Sequence, residues 1–87
     1  MQKRTFDLSD LSRILRVAAG SKTEIDAELA NERFDDLGYD SLALLETNGR
    51  IEREYDITLE DSTIADAYTP ALLVDAVNRQ LAAVYAS

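Results

Sequence analysis

Three stretches of this chain repeat apolar residues at the spacing of an α-helix, and nothing alternates long enough to make a strand. Leu8, Leu11, Ile14, Leu15 and Ala18 form the first stripe. Leu44, Ile51 and Tyr55, with Asn48 at the margin, form the second. Leu73, Val74, Val77, Leu81 and Val84 form the third. Such stripes must be buried against one another. Breakers and caps set their limits. Asp7 caps a first helix that runs to about Ala19, and Gly20 stops it. Asp40 caps a second, Ser41 to Tyr55. Asp61 or Ser62 caps a short third, Thr63 to Ala67, with Ile64 and Ala67 inward. Thr69 caps the last, which opens on Pro70. Ile57 and Leu59 alternate with polar residues too briefly for a strand. The predicted fold is therefore all-α: a small four-helix bundle, three longer helices and one short, with a long loop between the first and second. The 87 residues make one domain, with residues 1–6 as a ragged start.

The loop, Ser21 to Tyr39, is long for a connection, and such loops are often functional. Ile25, Leu29, Phe34 and Leu37 are its expected anchors, with a short helical turn between Asp26 and Asn31. It leads into the stretch around which the chain is organised, Gly38-Tyr39-Asp40-Ser41-Leu42-Ala43-Leu44-Leu45-Glu46. A helix start presents unpaired N–H groups and a partial positive charge, so it tolerates an anion such as a phosphodiester. A serine there is either a plain part of the cap or a point of phosphate attachment. Both readings stand on the local pattern.

The second helix carries another apolar stripe, Leu42, Leu45 and Gly49, roughly opposite the first and flanked by Glu46 and Glu52. Either both faces are buried, or the short stripe is an apolar dock ringed by carboxylates. Asn78 lies at the edge of the last helix's stripe, where an asparagine is usually a hydrogen-bonded structural residue.

Composition narrows the chemistry. The chain has no His and no Cys, which excludes a Ser-His-Asp triad, a thiolate nucleophile, a disulfide and a His or Cys zinc site. Seventeen acidic against nine basic residues leave a net charge of -8, which argues against nucleic acid and for partners with basic surfaces. An EF-hand with Gly38 at its sixth position would need ligands where Arg33, Leu37 and Leu44 stand, so no metal is expected. Ser41 lacks both glycines of a hydrolase elbow, and no Gly-rich phosphate loop is present. An enzyme in its own right is not expected. No apolar run approaches the ~20 residues of a membrane span and the start lacks a signal-peptide core, so a cytoplasmic protein with no membrane association is expected.

Gly38-Tyr39-Asp40-Ser41-Leu42, followed by Ala43-Leu44-Leu45-Glu46-Thr47, resembles the acyl carrier proteins of bacterial aromatic (type II) polyketide synthases. Leu37-Gly38 before it, Tyr55 about four turns on, and Thr69-Pro70 opening a last helix that contains Asn78 extend the likeness from Asp7 onward. The resemblance implies that 4′-phosphopantetheine from coenzyme A is attached covalently to Ser41. The thiol of that arm then holds malonyl units and a growing poly-β-ketone chain as thioesters. It implies these partners: a phosphopantetheinyl transferase, a malonyl transferase, a ketosynthase with its chain-length factor, a ketoreductase and a cyclase. It makes the chain a non-catalytic carrier, expected to be a monomer. Asp40, Leu42, Leu45, Glu46 and Glu52 become a docking edge, with Glu60 and Asp61 beyond, and Asn78 a candidate contact for the acyl chain. The chain departs from the family pattern at Ala71, where relatives often carry a basic residue, and at Gly49, where several carry Ala. Carriers of fatty-acid or another thiotemplate synthesis share the chemistry; Tyr39 and Leu44-Leu45-Glu46-Thr47 lean away from them. A plain acidic helical interaction domain is the reading from a different class.

Overall fold

The computed structural model describes residues 5–20 and 24–86. Its order is α1 (Leu8–Ala19), α2 (Ser41–Tyr55), α3 (Asp61–Asp66) and α4 (Pro70–Ala86). The first helix begins and ends on local chemistry. Asp7 and Asp10 form a reciprocal capping box: the Asp10 N–H donates to Asp7 Oδ1 at 2.9 Å and the Asp7 N–H to Asp10 Oδ2 at 3.1 Å. Gly20 closes the helix at φ 66°, left-handed backbone that costs glycine little. At the start of α4 the Leu72 N–H donates to Thr69 Oγ1 at 3.2 Å, and Pro70 takes the first helical position.

The core runs between α1, α2 and α4. Leu11, Ile14 and Leu15 meet Ile51 and Tyr55 from α2 and Leu73, Val77 and Leu81 from α4. Across the α1–α2 surface Arg13 pairs with Glu54 at 2.7 Å. The hydrogen bond that Arg13 donates to the Glu54 carboxylate raises the Arg13 pKa, opposed by partial desolvation. A surface pair of this kind adds under about 1 kcal/mol.

Four particulars differ from the sequence expectation. Phe6, counted with the ragged start, is 2% exposed and stacks edge-to-face on Tyr55 at 5.3 Å between centroids; residues 1–4 of that start lie outside the described residues. Helix α3 begins two residues early, at Asp61, with Glu60 as N-cap and no side-chain capping bond. Asn48 is fully within the core rather than at its margin, and its neighbour Thr47 is buried as well. The Thr47 hydroxyl is satisfied by the Ala43 carbonyl at 2.8 Å. Val84, expected on the inner stripe, is exposed together with Ala82 and Ala83, so the buried part of α4 ends at Leu81.

The long loop is tied down rather than loose. Around Asp26 it makes the expected helical turn, with the Leu29 N–H donating to the Asp26 carbonyl at 3.1 Å. Ile25, Ala30 and Phe34 are buried. Two long-range backbone bonds pin it to the α3–α4 junction: the Phe34 N–H to the Tyr68 carbonyl at 3.0 Å and the Ala71 N–H to the Ala30 carbonyl at 2.8 Å. The buried Ser12 hydroxyl receives the Ile25 N–H at 2.8 Å, which holds the other end of the loop to α1.

Gly49 floors a shallow groove of about 380 Å³ between α1 and α2, lined by Val17, Leu45, Arg50 and Arg53. A Cβ built there meets only the tip of Arg53, at 3.4 Å. Gly49→Ala is therefore expected to raise stability by about 0.5–1 kcal/mol, by removing backbone freedom from the unfolded chain without a clash. Chemical denaturation checks this; a loss of stability would mean that the glycine is needed for close approach.

Candidate functional site

The start of α2 is built by three neighbouring residues with different jobs. Gly38 has φ 92°, a backbone that any side chain would strain, and its N–H closes a turn on the Asp35 carbonyl at 3.1 Å. Tyr39 then points inward, 8% exposed, with its ring edge-to-face on Phe34 at 6.0 Å. Tyr39 and Leu44 stand at the two positions of a hydrophobic staple; Tyr39 belongs to the core cluster and Leu44, partly buried, packs against it. With Tyr39 anchored, the next residues turn to solvent. Asp40, in extended backbone, accepts the Ala43 N–H on Oδ1 at 2.8 Å, and its carbonyl takes the Leu44 N–H at 3.1 Å. Ser41 follows as the first residue of the helix and is exposed.

This geometry suits a bulky anionic substituent. The first-turn N–H groups of Ser41 and Leu42 have no intrahelical partner by the construction of an α-helix, and the helix end carries partial positive charge. An exposed hydroxyl on the first residue can take a phosphodiester without displacing any core side chain. No His exists in the chain, and the Asp40 carboxylate is engaged by Ala43.

The other predicted site residues separate into two groups. Leu42 and Leu45 are each 64% exposed, which decides between the two readings of their stripe: it faces solvent. Asp40, Glu46, Glu60 and Asp61 are exposed as well. Glu52 differs. It is half-buried, and its Oε2 accepts the Leu59 N–H at 2.9 Å, holding the segment before α3 against α2. Asn78 differs more. Its Oδ1 accepts the Phe6 N–H at 2.8 Å and its Nδ2 donates to the Phe6 carbonyl at 2.7 Å. The amide thus mimics a strand neighbour for Phe6, which gives Asn78 the structural role usual for an asparagine at the edge of a stripe.

Sequence reasoning missed Tyr39 as the anchor of the site. The signal was present: an aromatic residue immediately before an N-cap, with leucine at the fourth helical position. It also missed a cleft of about 360 Å³ between α3 and α4, into which Asp66, Leu72 and Arg79 face. No local pattern announces a gap between two helices.

Residues 13–77 match the family described as "Phosphopantetheine attachment site". The monensin polyketide synthase acyl carrier protein of Streptomyces virginiae is 51% identical over 84 residues, 95% of this chain and 96% of the relative. The solution structure of oxytetracycline acyl carrier protein superposes with a TM-score of 0.82 at 43% identity, covering 93% of this chain and 87% of that one. Hexanoyl acyl carrier protein from the actinorhodin polyketide synthase of Streptomyces coelicolor gives a TM-score of 0.81 at 36% identity, covering 94% of this chain and 98% of that one. The match spans α2 and its exposed serine, and the likeness runs nearly end to end at high identity; this chain belongs to the phosphopantetheine-bearing acyl carrier proteins of bacterial polyketide synthases.

Proposed function

We propose that this chain is the non-catalytic carrier of an aromatic, type II polyketide synthase, with 4′-phosphopantetheine attached to Ser41. The observation that carries this reading is one exposed hydroxyl at the first position of α2, held outward by the buried Tyr39. The arm, when attached, supplies the thiol that a chain without cysteine lacks, and on it malonyl units and the growing poly-β-ketone ride as thioesters. The chain's own residues bind and orient. Asp40 and the free N–H groups shape the helix end around the phosphodiester. Leu42 and Leu45 offer an apolar contact, and Glu46, Glu60 and Asp61 a carboxylate rim, for basic surfaces on the transferase, the malonyl transferase, the ketosynthase with its chain-length factor, the ketoreductase and the cyclase. A net charge of -8 favours fast encounter with such surfaces.

The direct test is intact-mass measurement after incubation with coenzyme A and a promiscuous phosphopantetheinyl transferase, followed by fragmentation. One added arm, on the peptide containing Ser41, is expected. No added mass, or an arm on Ser9 or Ser62, would sink the reading.

The rim has its own test. Glu46→Lys is expected to slow second-order loading about two- to five-fold at low salt, with the difference shrinking as ionic strength rises. Equal rates at every salt concentration would make Glu46 ordinary solvated surface.

A further inference from the structure

Asn48 is 4% exposed, and its Oδ1 is buried with no hydrogen-bond partner among the described residues. Among the described residues Ser12 is satisfied by Ile25, Thr47 by Ala43 and Thr69 by the Leu72 N–H, and Arg50 Nε, the other buried side-chain atom without a hydrogen bond, has the Glu54 carboxylate at 3.8 Å. An unmet buried amide oxygen weakens a fold, and an apolar residue of similar size would avoid the penalty. Such an orphan points to a partner that joins later.

Position says which partner. Asn48 follows Ser41 by seven residues, so it lies within about 20° of the same helix face and about 10 Å along the axis. The next residue on that edge, Glu52, holds the segment leading into α3. Helix α3 has six residues, none fully buried, and no side-chain cap. It is the helix least tied to the core, so displacing it costs the fewest contacts. The chemistry narrows the choice further. An orphan acceptor needs a donor. A poly-β-ketone offers carbonyl acceptors, whereas a phosphopantetheine arm carries two amide N–H groups and a hydroxyl, within reach of a residue two turns below its attachment point.

We propose that Asn48 is the resting contact of the arm: when the arm lies back along α2, Asn48 Oδ1 accepts a hydrogen bond from one of its amide N–H groups. This rests on attachment at Ser41. The contact gives the arm a retracted position on the carrier that a partner must release.

The test uses apo protein and holo protein whose arm carries ¹⁵N at both amides, with attachment at Ser41 established first by mass. The expected result is a shift of the Asn48 side-chain NH₂ resonances between apo and holo, a nuclear Overhauser contact from an arm N–H to Asn48, and solvent exchange of that N–H slowed about five-fold relative to free pantetheine. Asn48→Val and Asn48→Ala, still carrying the arm by mass, are expected to restore free exchange. Unchanged Asn48 resonances on a fully loaded protein overturn the proposal and leave the oxygen to a buried water. Perturbation only when a β-ketoacyl chain is loaded overturns it in favour of the cargo, through the amide nitrogen. Failure to attach the arm at all overturns the carrier reading itself, and this contact with it.

Discussion

Ser41→Ala is expected to keep the bundle intact and to abolish arm attachment completely. The two halves of that statement rest on different physics. Stability should change by no more than about 0.5 kcal/mol, because Ser41 is exposed and alanine is the better helix former. The cap does not depend on this hydroxyl: Asp40 receives Ala43 through its own carboxylate, and the Asp40 carbonyl receives Leu44. Attachment depends on it entirely, since an ester to phosphate cannot form on a methyl group. Circular dichroism with thermal melting should therefore superpose with the parent protein, while intact mass after incubation with coenzyme A and transferase stays at the apo value. Residual modification would mean that another hydroxyl accepts the arm. Ser12 is not a candidate, being buried and bonded to Ile25. Among the described residues, Ser9 and Ser62 are the other exposed serines that fragmentation must clear.

The largest effect on stability is expected from Phe6→Ala. Phe6 is 2% exposed, stacks on Tyr55, and sits in the same cluster as Leu11, Ile51 and Leu81. Emptying that volume is expected to cost about 3–5 kcal/mol. A small domain has a total margin of roughly 5–15 kcal/mol. At about 4–8 °C per kcal/mol for a chain of this size, the melting temperature should fall by on the order of 12–40 °C. Phe6→Leu, which refills most of the space, should lose far less. A drop of only a few degrees for Phe6→Ala would mean that the segment before α1 docks weakly and that the core proper begins at Leu8. The loss should reach α4 as well, because Asn78 holds the Phe6 backbone through both groups of its amide.

Most of what the sequence by itself determined is local chemistry. The cap at Asp7, the stop at Gly20, the Thr69-Pro70 start and the Asp40 cap each depend on residues within four positions of one another. Each appears where composition and spacing placed it. The outward Ser41 belongs to the same class: a glycine turn, an aromatic anchor and a short acidic cap suffice to set it on the first turn. The all-helical class follows from three stripes of period 3.6, and the missing imidazole and thiol follow from composition alone.

Only the tertiary structure decided the rest, because those outcomes depend on partners far along the chain. Asn78 looked like the edge of a stripe until Phe6, 72 residues earlier, met its amide. Glu52 looked like a rim carboxylate until the backbone after α2 folded back to donate Leu59 N–H to it. The apolar pair Leu42 and Leu45 had two possible fates on a helical wheel, and the packing of α1 and α4 against the other face left them in solvent. Asn48 crossed from margin to interior for the same reason. A helix shows its periodicity in its own residues, but which of its faces is covered depends on where the other helices come to lie.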